Sequence, residues 1–430
     1  MIFRLALVPA LGLVLTLSAL AGDEKRILCG SLLNVEAGEI LSEQTLVVRD
    51  GKIREVVDGL DAGNGASEVI ELEGMTCLPG LIDLHTHLGS ELTAGSYIRR
   101  FTDNGPDVAL RAAHNARITL EAGFTTVREL GDSFNVSVAL RDAIEQDTAV
   151  GPRIFASGKS LATTGGHADP TNAYRDDLGG DPGPRDGVVN GTADARKAVR
   201  QRYKEGADLI KITATGGVLS VARRGENPQF LDDEIEAIVE TARDYDMHVA
   251  AHAHGAEGMK RAIRAGVATI EHGTLMDEEV MDLMVEHGVW YVPTISAGKY
   301  VAQKAEVDGF FPDMVRPKAR ELGPQIQETF GKAWQAGVPI AFGTDAGVGP
   351  HGDNAMEFVY MVETGYPEIE AIRSATTRAA EVLGIADEVG TLEEGMRADI
   401  IAVEGNPLED IDAMLEVGFV MTRGLVVSKP

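Results

Sequence analysis

Residues 248–273 read HVAAHAHGAEGMKRAIRAGVATIEHG. The run opens on a strand-like segment, 248–253, that leads into two histidines, His252 and His254. Residues 256–265 follow with apolar side chains at helical spacing. Gly266 stands just past them, where a helix closes its last turn in the left-handed conformation that glycine adopts without strain. A second strand-like run then reaches Glu271-His272-Gly273. Strand, helix, glycine, strand is the repeating unit of a parallel α/β sheet. Both strands end in side chains that bind metals or move protons.

The same rhythm recurs along the chain. Gly123-Phe-Thr-Thr-Val, Gly206-Ala-Asp-Leu-Ile-Lys, Gly288-Val-Trp-Tyr-Val-Pro and Gly337-Val-Pro-Ile-Ala-Phe-Gly each set a glycine between a helical stretch and a strand. Further strands at 75–83, 152–157 and 248–253 complete the series. Strands and helices thus alternate between about residues 75 and 345, which predicts an α/β protein with a (β/α)8 TIM barrel over 80–389. The competing doubly wound sheet needs a GxGxxG loop after its first strand, and none stands there.

The ends of the chain read differently. Residues 26–79 are short strand-like runs, with Asp50-Gly51 as a hairpin signal. Residues 398–403 and 418–427 behave similarly. Segments 22–79 and 390–430 are therefore expected to form one small composite β-sandwich domain. Residues 1–21, MIFRLALVPALGLVLTLSALA, carry one cation, an apolar run and a small-residue site at Ala19-Leu20-Ala21. That pattern predicts a signal peptide cleaved after Ala21, a periplasmic or secreted protein, and no stable membrane span after cleavage. Only Cys29 and Cys77 occur, as one bridge or as two buried thiols. Without a CxxC pair they offer no thiolate metal cluster.

Composition narrows the classes further. Of 430 residues, 44% are hydrophobic and 25% charged, which disfavours disorder, coiled coil and a multi-span membrane protein. A formal charge of −28 disfavours a nucleic-acid partner, because phosphate backbones require cationic surface.

In such a barrel, active sites gather at the C-terminal ends of the strands. There the first strand offers Asp83-Leu84-His85-Thr86-His87. His85 and His87 are two apart, so an extended strand points both imidazoles the same way, toward one ion. His252 and His254 repeat that spacing. His272 ends the sixth strand, with Glu271 expected on its opposite face. Asp345 ends the eighth, in Gly343-Thr-Asp-Ala346. Lys211, between Ile210 and Ile212, would be costly to bury charged and unpaired. Residues alone leave it as an ion-paired lysine or a functional one.

With these residues the chain resembles the amidohydrolase superfamily. The likeness is carried by Leu78-Pro-Gly-Leu-Ile-Asp-Leu-His-Thr-His87, Lys211, His252, His272 and Asp345, supported by residues 390–403. Lys211-Ile-Thr-Ala-Thr-Gly-Gly217, His252-Ala-His-Gly255 and Gly343-Thr-Asp-Ala-Gly347 with Pro350-His-Gly352 are similar to the imidazolonepropionase-like branch. That branch contains Xaa-Pro and Xaa-Arg dipeptidases and N-acyl-amino-acid amidases, ochratoxin A hydrolases among them.

The resemblance implies two divalent ions, zinc by donor chemistry, with manganese or cobalt as substitutes. His85 and His87 with Asp345 would hold one ion, and His252 and His272 the other. A CO2-derived carbamate on Lys211 and a hydroxide would bridge them. Asp345 would act as general base, then general acid. The implied reaction is hydrolysis of a C–N amide next to a free carboxylate, in a small amide or dipeptide, by a homo-oligomer. His167 is the candidate hydrogen-bond donor to the substrate and a second catalytic residue. Arg223 and Arg224 are candidate partners of the substrate carboxylate, and His254 is a substrate contact or an alternative to His252 as ligand. His114, His248 and His287 are read as structural, and His351 as a loop residue. The alternatives are a cyclic amidase or deaminase of the same superfamily, or a decayed metal-binding barrel. Lys211 weighs against a deaminase, and the complete ligand set weighs against decay.

Overall fold

The computed structural model describes residues 24–66, 68–221 and 224–429, so the expected signal peptide lies outside it. The N-terminal strands are β1 (Lys25–Asn34), β2 (Glu39–Arg49), β3 (Lys52–Asp58) and β4 (Glu68–Pro79). Next come β5 (Leu81–Thr86), β6 (Phe124–Glu129) and β7 (Arg153–Ala156), a parallel three-stranded sheet. A parallel four-stranded sheet follows, of β8 (Ile210–Thr213), β9 (Val249–Gly255), β10 (Thr269–Leu275) and β11 (Trp290–Val292). Last are β12 (Ile400–Glu404), β13 (Val417–Thr422) and β14 (Leu425–Ser428). These three join the first four in one sheet of order β14-β13-β12-β4-β1-β2-β3.

Helices separate the parallel strands, and the glycines that end them are where the sequence rhythm puts them. Gly123, Gly206, Gly266, Gly288 and Gly337 have φ of 94, 88, 92, 63 and 82°, the left-handed region open to residues without a Cβ. The helix Glu278–His287 illustrates the local logic. Asp277 caps it by accepting from Val280 N at 2.9 Å, and Gly288 turns the chain out of its last turn.

Two expected strands differ from the structure. The run 75–83 is two strands: β4 belongs to the seven-stranded sheet, and β5 starts the three-stranded one. Pro79 cannot donate to a ladder, and at Gly80 a Cβ would lie 2.2 Å from Thr125 Oγ1. The eighth strand is a set of isolated bridges over 339–346. Pro339 lacks an N–H, and Gly343 packs so closely that a Cβ would meet Val292 at 2.4 Å.

That segment still lies between β11 and β5. Ala341 N donates to Tyr291 O at 3.0 Å, Leu84 N to Phe342 O at 3.0 Å, and Asp345 N to His85 O at 2.7 Å. On the other side the two parallel sheets meet through Leu161, whose N–H donates to Lys211 O at 2.8 Å.

A buried polar tie crosses the interior between these sheets. Arg128 on β6 and Glu271 on β10 are both fully buried and paired at 2.8 Å. Arg128 also donates to Leu84 O on β5 at 2.7 Å, and Glu271 accepts from Thr269 Oγ1. Within the seven-stranded sheet, Cys29 on β1 and Cys77 on β4 form a disulfide inside an apolar cluster with Ile27, Leu46 and Phe419.

Two outcomes follow for stability. Arg128→Met strands a buried carboxylate and should cost about 3–5 kcal/mol, read from the denaturant midpoint. The double replacement of Arg128 and Glu271 by Met should recover much of that loss; no recovery would mean the pair is not the cause. Opening the disulfide, which spans 48 residues, should cost about 4 kcal/mol on the chain-entropy account, read as a lower melting temperature of Cys29→Ala/Cys77→Ala.

Candidate active site

A cavity of about 870 Å³ lies over the C-terminal ends of the parallel strands. His85, His87, Lys211, His252, His254, His272, Asp345 and His167 all line it. These eight come from segments spread over 260 positions of sequence, and parallel topology alone brings their strand ends to one side.

The tightest group is His85, His87 and Asp345, each offering an atom within 4.8 Å of the others. His87 Nε2 and His85 Nε2 lie 3.3 and 3.6 Å from Asp345 Oδ1. Asp345 is fixed from behind. Its residue has φ of 60°, and its neighbour Thr344 donates Oγ1–H to buried Asp83 at 2.6 Å. Asp83 also accepts from Asn354 Nδ2 at 2.8 Å.

The hydrogen bonds around the rings decide which nitrogen is free. His85 Nδ1 faces Glu271 at 2.8 Å, and His87 Nδ1 faces Gly131 O at 3.0 Å. Both acceptors lack a hydrogen, so each Nδ1 carries one; His85 Nε2 keeps a lone pair for the cavity, and His87 Nε2 has one only once its ring is neutral. His252 is the reverse: its Nε2 meets Gly216 O at 2.9 Å, which leaves the lone pair on Nδ1. His272 and His254 hold their Nδ1 atoms to Thr294 Oγ1 at 2.8 Å and to Thr274 Oγ1 at 2.7 Å.

Electrostatics fit the same use. Burial pulls the His85 pKa down to about 4 and that of His254 to about 4, and holds His252 and His272 well below the ordinary range. These rings are neutral at neutral pH, the form in which an imidazole can bind a metal. His87 goes the other way: burial opposes it, but Asp345 and Glu129 raise it to about 10. A place that holds a proton so firmly stabilises a positive charge, which suits a cation between His87 and Asp345. Lys211 is nearly sealed from solvent, with Nζ 3.4 Å from His85 Nε2, and burial draws its pKa down to about 8. An appreciable neutral fraction of that amine is present near neutrality.

His167 stacks on His252 with ring centroids 4.5 Å apart, and its Nδ1 is buried without a hydrogen-bond partner. Burial pushes its pKa down to about 3. Arg224 is not part of the group: it is exposed and pairs with Glu226 at 3.3 Å. Arg223 lies outside the described residues. His351 bonds Ser90 O at 3.0 Å and takes a packing role near the site.

Sequence reading placed Glu271 on the far face of its strand, and the structure turns it inward. His272 has φ of 70°, so the extended alternation breaks there and both side chains face the interior. Arg128 and Glu129 were also missed. Their signal was a charged pair closing the otherwise uncharged run Phe124-Thr-Thr-Val127.

The chain is similar to known proteins over most of its length. A family model of the amidohydrolases matches residues 76–427. The crystal structure of a Xaa-Pro dipeptidase with methionine bound in its active site is 52% identical, with a TM-score of 0.92 over 94% of this chain and 99% of that one. A prolidase complexed with N-methylphosphonate-L-proline is 34% identical, with a TM-score of 0.84 over 95% of this chain and all of that one. The ochratoxinase of Aspergillus niger is 36% identical over 357 residues, 79% of this chain and 72% of that protein. Converging neutral histidines and a cation-favouring carboxylate, on a chain matched over most of its length, make this protein a member of the amidohydrolase family, a hydrolase of carbon–nitrogen bonds.

Proposed function

We propose that the protein is a dinuclear metal-dependent amidohydrolase that cleaves a C–N amide next to a free carboxylate, in dipeptides or N-acyl amino acids. The carrying observation is the meeting of His85, His87 and Asp345 with Lys211, His252 and His272 on one cavity. The relatives named prolidase, Xaa-Pro dipeptidase and ochratoxinase support the substrate class. Lys211 beside His85 favours this reading over a single-ion deaminase.

The donor set fits two divalent ions. His85, His87 and Asp345 would hold one, and His252 through Nδ1 and His272 the other. Zinc suits imidazole and oxygen donors, with manganese or cobalt as substitutes. When bound, such ions lower the pKa of water toward neutrality and polarise the scissile carbonyl. The neutral Lys211 amine would attack CO2 and lose a proton, giving an anionic carbamate whose oxygens could ligate metal. Asp345 takes the proton of the attacking water and returns it to the leaving nitrogen. His167, a neutral ring lining the cavity, would hydrogen-bond the substrate.

The wider reading is also a proposal. The two parallel sheets, with 339–346 between β11 and β5, act as one (β/α)8 barrel, and strands from both chain ends make the smaller domain. The Cys29–Cys77 disulfide supports export to an oxidising compartment. No helix among the described residues is long and apolar enough to cross a membrane.

Zinc- or cobalt-loaded protein should carry two ions per chain by elemental analysis and release free amino acid from a dipeptide and N-acyl-amino-acid library. Lys211→Ala should lose one ion and nearly all turnover; full activity with two ions would end the bridging role. Asp345→Asn should lower kcat by about 10²–10⁴-fold. A library without turnover would remove the substrate class.

A further inference from the structure

The segment after β8 supports two of the imidazoles at once. Gly216 O fixes the orientation of His252 by accepting from its Nε2 at 2.9 Å. Gly217 lies against His167 so closely that a Cβ would fall 2.2 Å from the ring. His167 is tied to the same segment a second time: its N–H donates to Gln229 Oε1 at 2.8 Å, and Gln229 N donates to Ala214 O at 2.9 Å.

A side chain distant in sequence holds this segment from the other side. Lys318, in the helix Arg316–Leu322, is 9% exposed. Its Nζ donates to Gly217 O at 2.9 Å and to Ser220 O at 2.7 Å. Ser220 Oγ returns a bond to Gly217 O at 3.2 Å, and Tyr97 OH donates to Leu219 O at 3.1 Å. An ammonium has three donors and can gather several carbonyls of one turn, which a neutral apolar residue cannot. Lys318 is absent from the lining of the cavity. Its charge also acts directly on His167 and His254, disfavouring their protonated forms.

We propose that Lys318 is a positioning residue: by clamping the carbonyls of Gly217 and Ser220 it sets Gly216 O for His252 and the wall for His167. The inference rests on the two-ion reading above. Loss of the clamp frees His252 to turn about its ring axis, and the ion held by His252 and His272 is the one weakened. The ion at His85, His87 and Asp345 has separate supports in Glu271, Gly131 O and Asp83, and is left intact.

The test is metal titration of the full-length apo-protein with Co²⁺, followed by absorption spectroscopy and calorimetry, on wild type and Lys318→Met. The variant should bind its first equivalent as wild type does and its second about 10–100-fold more weakly, the range for lost outer supports of metal ligands. With saturating metal, kcat should fall while KM for a dipeptide stays within about twofold, since no substrate contact has gone. Lys318→Gln keeps a donor group and is the milder variant should Lys318→Met not fold; it should move in the same direction. A folded variant that binds both equivalents with wild-type affinity overturns the proposal, as does one that weakens both ions equally. A wild type that binds a single equivalent overturns the two-ion reading instead.

Discussion

Two opposite charges sealed from water hold the centre of this molecule. Arg128 and Glu271 are each 0% exposed, and each comes from a different parallel sheet. Neither tolerates burial alone, so the sheets must meet in the register that pairs them. The pair then reaches the chemistry in one further step. Glu271 uses its second oxygen on His85 Nδ1, which sends the lone pair of that ring into the cavity. Burial pushes the Glu271 carboxyl up, but Arg128 and His85 outweigh it and hold the pKa near 2, so the acceptor is always an anion. The fold and the tautomer of a candidate ligand thus depend on the same carboxylate.

Burial has a second effect on the site. Histidines that ligate metals must be neutral, and in water a proton competes for the same lone pair. Here desolvation settles that competition beforehand for His85, His252, His254 and His272. His87 is the exception, because Asp345 and Glu129 outweigh the burial that opposes its charge. Its proton must leave when a cation arrives. Uptake of metal at this position is therefore tied to proton release from one ring.

Much of this was legible in the sequence because it depends on local rules. A glycine after an amphipathic stretch marks a helix end whatever surrounds it, and all five such glycines take the left-handed conformation. Histidines spaced by two on a strand face one way, which brought His85 and His87 together. What stayed hidden depends on partners from elsewhere. Glu271 turns inward because of the backbone angle of the next residue, and Arg128 is explicable only once Glu271 faces it. The break at Pro79-Gly80 comes from the approach of Thr125, and the exposed position of Arg224 from a loop path that spacing does not specify. The overall charge of −28 locates none of these groups, since the site is organised by pairs and not by net charge.

The seven-stranded sheet sets an order on how the chain can be built. β4 has β1 on one side and β12 on the other, with Met75 opposite Glu404 and Pro79 opposite Ile400. Everything that makes the parallel sheets lies between those partners in sequence. A chain emerging from its N-terminus therefore carries β4 with one edge bare until its last strands appear, and bare edges invite pairing with other chains. The Cys29–Cys77 bond does not depend on those last strands, because both cysteines lie in β1 and β4. It fixes β1 to β4 and keeps a half-built sheet in its final alignment. The disulfide thus holds one edge of β4 in alignment independently of the strand that covers the other.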